Sequence, residues 1–363
     1  MFKNIQAFAA FSEKSELEPF KISRRNIGKD DVLIDILYCG VCHTDIHYID
    51  NDWGISNYPL VPGHEIVGKI ADKGENVKTF LLHDEVGVGV LINSCSSCNP
   101  CKKNLEPYCE NGATFTYNAP DKILGGRTFG GYSKKIVVNK KFVFKIPKNL
   151  DLKTAAPLLC AGITAYSPLK NWNIKKGKKV GVIGLGGIGH MAVKFAKALG
   201  AEVIVITSSN HKKNDAFELG ADGVIINSND SLKKHSNTFN FILNTIPKSH
   251  DLNPFVELLK LDGTMVIVGA IEPFKINLNM RNLIFGRKSI SGSLIGGIKE
   301  TQEMLSFCEN EKISCKRELI SIDDLNKALY RMKKSDVKYR FVIDMKTMKW
   351  INNSDSEQKL LVS

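Results

Sequence analysis

Short apolar runs dominate the first 150 residues, at 32–38, 66–70, 85–90, 136–138 and 142–144, separated by clusters of Gly, Pro and polar residues. The pattern predicts a compact β-rich domain with long loops. Residues 151–169 read as a helical connector. The period then changes. An apolar strand at 179–184 precedes a helical run at 189–199 that stops at Gly200, and a second strand at 202–207 precedes a second helix at 213–219, stopped by Gly220. Further strands are expected at 223–226, 239–243 and 264–269. Strands alternating with helices imply βαβ units and a parallel sheet. Beyond about residue 287 the pattern is mixed, with helical period at 304–307 and 323–332 and a strand at 339–344. The polar tail at 352–363 is expected to fray. There is no internal repeat and no low-complexity segment.

Composition narrows this picture modestly. The chain has 363 residues, 43% hydrophobic and 24% charged, enough for two domains. No apolar run is long enough to cross a membrane, and the N-terminus meets Glu13, Lys14 and Glu16 too early for a signal peptide. A cytoplasmic protein is expected. The net charge of +12 raises the question of nucleic acid, but only eight of the basic residues are Arg, and they form no arm or aromatic-interleaved stripe. The expectation is no nucleic acid and no membrane, with some of the charge attracting a phosphorylated cofactor.

The nine cysteines of a cytosolic chain point to metal or catalysis rather than disulfides. Cys95, Cys98, Cys101 and Cys109 stand in C-x2-C-x2-C-x7-C spacing. Four thiolates so close suit one tetrahedral metal, zinc or iron, in a closed structural site. Cys39, Cys308 and Cys315 belong to no motif and are expected to be buried free thiols.

Gly184-Leu185-Gly186-Gly187-Ile188-Gly189 is a G-x-G-x-x-G that follows a strand and opens a helix, the context that marks a dinucleotide site. Gly184 permits the tight turn, Gly186 lets backbone approach a pyrophosphate, and Gly189 allows close helix–strand packing. An acid about 20 residues on would bind a ribose 2′-hydroxyl. This chain has Thr207, Ser208 and Ser209 there, then Asn210, His211, Lys212 and Lys213. Hydroxyls and lysines suit a 2′-phosphate, so NADP(H) is expected over NAD(H).

Three more segments carry ligand-type residues: Gly40-Val-Cys42-His43-Thr44-Asp45-Ile-His47, Pro62-Gly63-His64-Glu65, and 157–165 with Cys160. Two thiolates and one imidazole would leave tetrahedral zinc one open position, where it acts as a Lewis acid. With the four-cysteine loop, Gly130-Gly-Tyr132, the glycine motif and the run at 292–301, these segments carry a resemblance over nearly the whole chain. It resembles the zinc-dependent medium-chain alcohol dehydrogenases, and most nearly their cinnamyl alcohol dehydrogenase-like branch.

The resemblance implies an α/β architecture: a GroES-like, β-rich catalytic domain (1–152 and 290–363) split around a Rossmann doubly wound cofactor domain (153–289), with the active site in the cleft. It implies Cys42, His64 and Cys160 as catalytic zinc ligands, a structural zinc on the four-cysteine loop, and so two zinc ions per subunit. Glu65 would be the carboxylate that can approach the metal, and Asp45 would orient His64. Thr44 would pass the alcohol proton through the nicotinamide ribose to His47. His43, Thr164 and the glycine loop would contact the cofactor, and Ser208, Ser209 and Lys213 would hold the 2′-phosphate. Trp53, Phe115, Tyr117 and Leu294 are candidates for the substrate pocket. A homodimer extending its sheet near 290–294 is implied, with small aldehydes or alcohols as substrates, aromatic or medium aliphatic. A polyol dehydrogenase is the rival within the superfamily. The rival outside it is a zinc-bearing binding module, which predicts salt-sensitive nucleic-acid binding and none of NADPH.

Overall fold

The computed structural model describes residues 1–269 and 277–349; the tail expected to fray lies outside them. The chain divides into two compact units. One holds Met1–Cys160, Gly297–Glu309 and the chain from Ser314 onward, and the other holds Ala161–Gly296 with Asn310–Ile313. The breaks at 160/161 and 296/297 fall eight and seven residues downstream of the expected 152/153 and 289/290.

The first unit is built on a mixed sheet whose longest strand is Asp31–Val41. Ile66–Lys73 pairs antiparallel along one of its flanks. Its other flank is shared: Lys135–Asn139 pairs with residues 31–35, and Arg340–Asp344 with residues 38–41. Glu85–Val88 and Phe144–Lys145 extend the sheet beyond Ile66–Lys73, and Arg317–Ile320 lies parallel outside Arg340–Asp344. Eight of the eleven residues of the central strand are buried, as its Val/Ile/Leu content requires. The register brings distant segments together. Cys39 lies opposite both Ile66 and Ile343, and Val41 lies opposite Phe341. The residues just past Val41, just before Ile66 and at the start of Arg340–Asp344 therefore meet at one end of the sheet.

In the second unit six parallel strands run in the order Gly223–Ile226, Glu202–Thr207, Lys179–Ile183, Phe239–Asn244, Leu259–Ile267, Ser289–Gly292. The apolar, largely buried sequences of Lys179–Ile183 and Glu202–Thr207 fit strands covered on both faces. Ile183, Ile206, Phe239, Ile242 and Met265 anchor a core closed by Leu252, Phe255 and Val256.

Two local departures from the sequence pattern bear on the site. The strand expected at 142–144 is a 3-10 turn, Lys140–Phe142, leading into the short strand Phe144–Lys145, because the Asn139 side chain accepts the Lys141 N–H and caps the turn. The connector at 151–169 is broken: Leu152–Pro157 and Ile163–Asn171 are α-helical, with a π-helical turn, Leu158–Gly162, between them. Such turns are concentrated at functional sites, and this one carries Cys160. Among the described residues no helix is long and apolar enough to cross a membrane.

Candidate active site and metal centres

The converging strand ends of the first unit assemble one buried cluster. Cys42 caps the helix His43–Ile49. Asp45, on its first turn, reaches back to accept the Cys42 N–H at 2.9 Å, a capping box built on cysteine. Gly63, at φ +100°, turns the chain in the left-handed region and delivers His64 and Glu65 to the start of Ile66–Lys73. The Gly40 N–H donates to the Glu65 carbonyl at 2.9 Å, so Glu65 lies beside the end of the central strand.

Cys42, His64 and Cys160 are all buried. The two sulfurs are 3.8 Å apart and His64 Nε2 is 3.2 Å from the Cys160 sulfur. One ligand-type atom from each of these three residues and one from Glu65 lie within 4.8 Å of one another. About 3.8 Å is also the sulfur–sulfur edge of a tetrahedron with Zn–S bonds of about 2.3 Å. The electrostatics fit a cation equally well. Cys42 is held well below the ordinary thiol range by the hydrogen bond from Cys160, against the cost of burial and with help from the Arg340 charge. Cys160 is raised well above it by the same bond and by burial. Two thiolates at this separation repel, and a divalent cation between them removes the conflict. His64 is raised well above its usual value: burial opposes its charge, but Asp45 and Cys42 outweigh it. Asp45 Oδ1 lies 3.4 Å from His64 Nδ1, which leaves Nε2 turned to the sulfurs.

Glu65 and Arg340 form a fully buried ion pair beside this set. Burial pushes the Glu65 carboxyl up to about 7 against the opposing Arg340 charge. Glu65 Oε2 and Arg340 Nε are buried without a hydrogen-bond partner among the described residues. On the neighbouring helix Thr44 Oγ1 lies 3.6 Å from the Cys42 sulfur. His47 Nδ1 lies 2.6 Å from Asp52 Oδ2, and its Nε2 is buried with no partner among the described residues. His43 is exposed.

The four-cysteine loop forms a second cluster. Cys95–Cys101 and Cys98–Cys109 sulfur distances are both 3.9 Å, with all four sulfurs within 4.8 Å of one another. Cys95 receives the Ser97 and Cys98 N–H groups at 3.5 and 3.3 Å, and hydrogen bonds from these residues pull its thiol down to about 5. Burial pushes Cys101 up to about 11. A closed S4 set of this size fits a structural zinc. Cys39, Cys308 and Cys315 are buried and in no disulfide, as expected.

In the second unit the strand Lys179–Ile183 leads into Gly184 at φ +89°, and the helix Gly189–Ala198 follows. A Cβ on Gly189 would sit 2.1 Å from the Gly184 carbonyl, whereas one on Gly186 would meet nothing. The loop is thus tightly packed at one glycine and open at the other, a cradle that fits a pyrophosphate. Ser208 is exposed and Ser209 half-buried past the end of Glu202–Thr207. Of the two lysines, Lys213 is exposed, while Lys212 Nζ donates to the Leu185 carbonyl at 3.0 Å, and burial lowers its pKa. Thr164 is buried on Ile163–Asn171.

Residues 28–148 match the alcohol dehydrogenase GroES-like domain, and residues 187–310 match the zinc-binding dehydrogenase domain. Aldehyde reductase YahK of Escherichia coli (strain K12) is 48% identical over 346 residues, 95% of this chain and 99% of that protein. The chain belongs to the zinc-binding alcohol dehydrogenases. A probable mannitol dehydrogenase of Medicago sativa is 49% identical over 93% of this chain and 94% of its own length. The cinnamyl alcohol dehydrogenase of Helicobacter pylori, solved in complex with NADP(H), superposes with a TM-score of 0.90 at 42% identity, covering 96% of this chain and all of that one.

For this alcohol dehydrogenase, sequence reasoning missed Arg340 and Asp52, and it placed Tyr117 in the substrate pocket and Tyr132 in a motif without giving either a part in the buried cluster. Arg340 pairs with Glu65, Asp52 with His47, and the hydroxyls of Tyr117 and Tyr132 both reach Asp45. Asp52 could have been found as an acid one turn beyond His47, since the Asp52 N–H closes that turn on the His47 carbonyl at 3.0 Å. Arg340 gave no such signal. Among the pocket candidates, Tyr117 is buried with its ring stacked on His64 (centroids 5.7 Å), Trp53 lies against His47 and Tyr48, Phe115 is half-buried, and Leu294 is exposed in the second unit.

Proposed function

We propose that this dehydrogenase interconverts aldehydes and primary alcohols with NADP(H), acting chiefly as a reductase of aromatic, cinnamyl-type and medium aliphatic aldehydes. The observation that carries the reading is the buried Cys42–His64–Cys160 donor set in a chain that also bears a glycine loop followed by serines and lysines. Zinc held there supplies Lewis acidity toward a substrate oxygen, and a bound nicotinamide supplies or takes the hydride. The chain's own residues do the rest. Cys42, Cys160 and His64 hold the metal, and Asp45 fixes the His64 ring. Glu65, balanced by Arg340, is the reserve carboxylate beside the set. Thr44 takes or gives the substrate proton. Asp52 holds His47 Nδ1, leaving Nε2 to resupply the proton in the reduction and to take it up in the reverse oxidation. His43, Thr164, the glycine loop, Ser208, Ser209 and Lys213 hold the dinucleotide, with the last three at its 2′-phosphate.

The four sulfurs of 95–109 hold a second, structural zinc. The reading includes a cytoplasmic homodimer. None of the nine cysteines is paired in a disulfide, which suits a reducing compartment, and Ser289–Gly292 has a strand neighbour on one side only among the described residues. Identity to a probable mannitol dehydrogenase supports polyol oxidation as a second reading. Specificity constants for cinnamaldehyde-type, aliphatic and polyol substrates with each cofactor, alongside metal content, separate the two. NADPH with aromatic aldehydes should lead; a preference for NADH, or for polyols, would overturn the proposal.

A further inference from the structure

Asp45 is the most heavily hydrogen-bonded side chain of the cluster, and it is wholly buried. Oδ2 accepts the Cys42 N–H at 2.9 Å and the Tyr132 hydroxyl at 2.9 Å. Oδ1 accepts the Tyr117 hydroxyl at 2.8 Å and the Gly63 N–H at 3.2 Å, and lies 3.4 Å from His64 Nδ1. A carboxylate offers about four lone-pair sites, so five neighbours saturate it. The His64 contact is the longest of the five. Geometry at His64 therefore depends on the other four donors holding the carboxylate in a single rotamer.

Two of those four are backbone groups of the cap and the Gly63 turn. The other two are tyrosines brought from distant segments: Tyr132 with no exposure at all, Tyr117 with 3%. Neither hydroxyl has water to turn to, so each is committed to Asp45. Tyr117 acts twice, since its ring also lies stacked at 26° on the His64 imidazole. The Tyr132 hydroxyl has no hydrogen bond to His64 or to the ligand sulfurs among the described residues and acts by pinning the other oxygen of Asp45.

We infer that Tyr117 and Tyr132 are positioning residues of the metal centre: their hydroxyls lock the Asp45 carboxylate onto His64 and so set how firmly the Cys42–His64–Cys160 site retains its metal. The inference rests on the proposed zinc reading of that site. It assigns two residues far apart in the chain to metal retention rather than to substrate contact.

The test uses the full-length protein and the variants Tyr117→Phe, Tyr132→Phe and the double variant, each of which keeps the ring and removes only the hydroxyl. Zinc retention is measured against a competing chelator, with the four-cysteine zinc as internal control, and the cobalt(II)-substituted visible spectrum reports ligand geometry. Each single variant should hold the Cys42–His64–Cys160 metal about 10–100-fold more weakly, shift the cobalt spectrum, and leave the four-cysteine metal and NADPH affinity unchanged. Tyr117→Leu, which also removes the stack, should lose more than Tyr117→Phe. Variants with lowered thermal stability but wild-type metal affinity and spectrum would overturn the inference and leave the zinc reading standing. A wild-type protein that binds no metal at this site would overturn both.

Discussion

Gly40 offers a direct test of how the site is built, because the space it leaves is already taken. A methyl group there would lie 1.9 Å from Glu65 Oε2 and 2.9 Å from both Glu65 Cβ and Cδ, where real contacts essentially never fall under 3.0 Å. The carboxylate would have to retreat by roughly 1 Å. It has nowhere to go: Glu65 has no exposure, Arg340 only 4%, and the two are paired. Gly40 is not in the left-handed region, so Gly40→Ala introduces no backbone strain and the effect is purely one of displaced charge. Overpacking alone costs about 1–3 kcal/mol. Separating a buried ion pair so that one charge is left alone costs about 3–5 kcal/mol. Partial separation places the expected loss between, at roughly 3 kcal/mol.

The assay is denaturant unfolding with kcat/KM followed in parallel on the folded fraction. The methyl lies beside Glu65, so activity should fall along with stability. Combining Gly40→Ala with Glu65→Gln should cost less than the sum of the two single changes, because both act on one pair. A Gly40→Ala protein within about 1 kcal/mol of wild type and fully active would refute the reasoning. It would mean that Glu65 has room to move that the packing does not suggest.

Other expectations rest on the same geometry. Gly186→Ala meets no atom, so stability should hold while NADPH affinity falls at least tenfold; Gly189→Ala, 2.1 Å from the Gly184 carbonyl, should instead lower the melting temperature. His47→Ala should slow alcohol oxidation most at low pH, where external base cannot substitute, and Asp52→Asn should weaken the same limb of the pH–rate profile; wild-type profiles in both would remove the relay. Cys98→Ser should shed the four-cysteine zinc and lower thermal stability before it changes kcat at low temperature, read by metal content and melting curves.

How much of this was legible in the sequence depends on distance along the chain. The four-cysteine loop was legible because its ligands lie within fifteen residues and spacing alone suggests tetrahedral sulfur. The parallel sheet was legible because short, mostly apolar strands such as Lys179–Ile183 and Glu202–Thr207 alternate with helices closed by Gly200 and Gly220. The Cys42–His64–Cys160 set was legible only through resemblance, since no local pattern links residues more than a hundred positions apart. The helix His43–Ile49 and the edge strand Arg317–Ile320 were missed, being short and weakly patterned, and Ser289–Gly292 was reached only through the resemblance. The π-helical turn that carries Cys160 had no signal that propensity could give.

Arg340 shows why the remainder stayed hidden, and what it was hiding. Nothing in Tyr-Arg-Phe-Val-Ile-Asp marks a functional residue; the pattern says strand, and a strand it is. The function comes from register. Phe341 lies opposite Val41 and Gly40 bonds to Glu65, so Arg340 is carried to the one point where a buried carboxylate needs a cation. The same logic applies to Tyr117 and Tyr132 on Asp45. Each supporting residue is placed by sheet pairing or loop closure rather than by proximity in the chain. The ligand-type atoms could therefore be named from sequence, but the groups that balance their charges and fix their orientations required the fold. Removing Arg340 should accordingly be worse than removing an ordinary buried arginine, because it would leave Glu65 as an uncompensated charge beside Cys42.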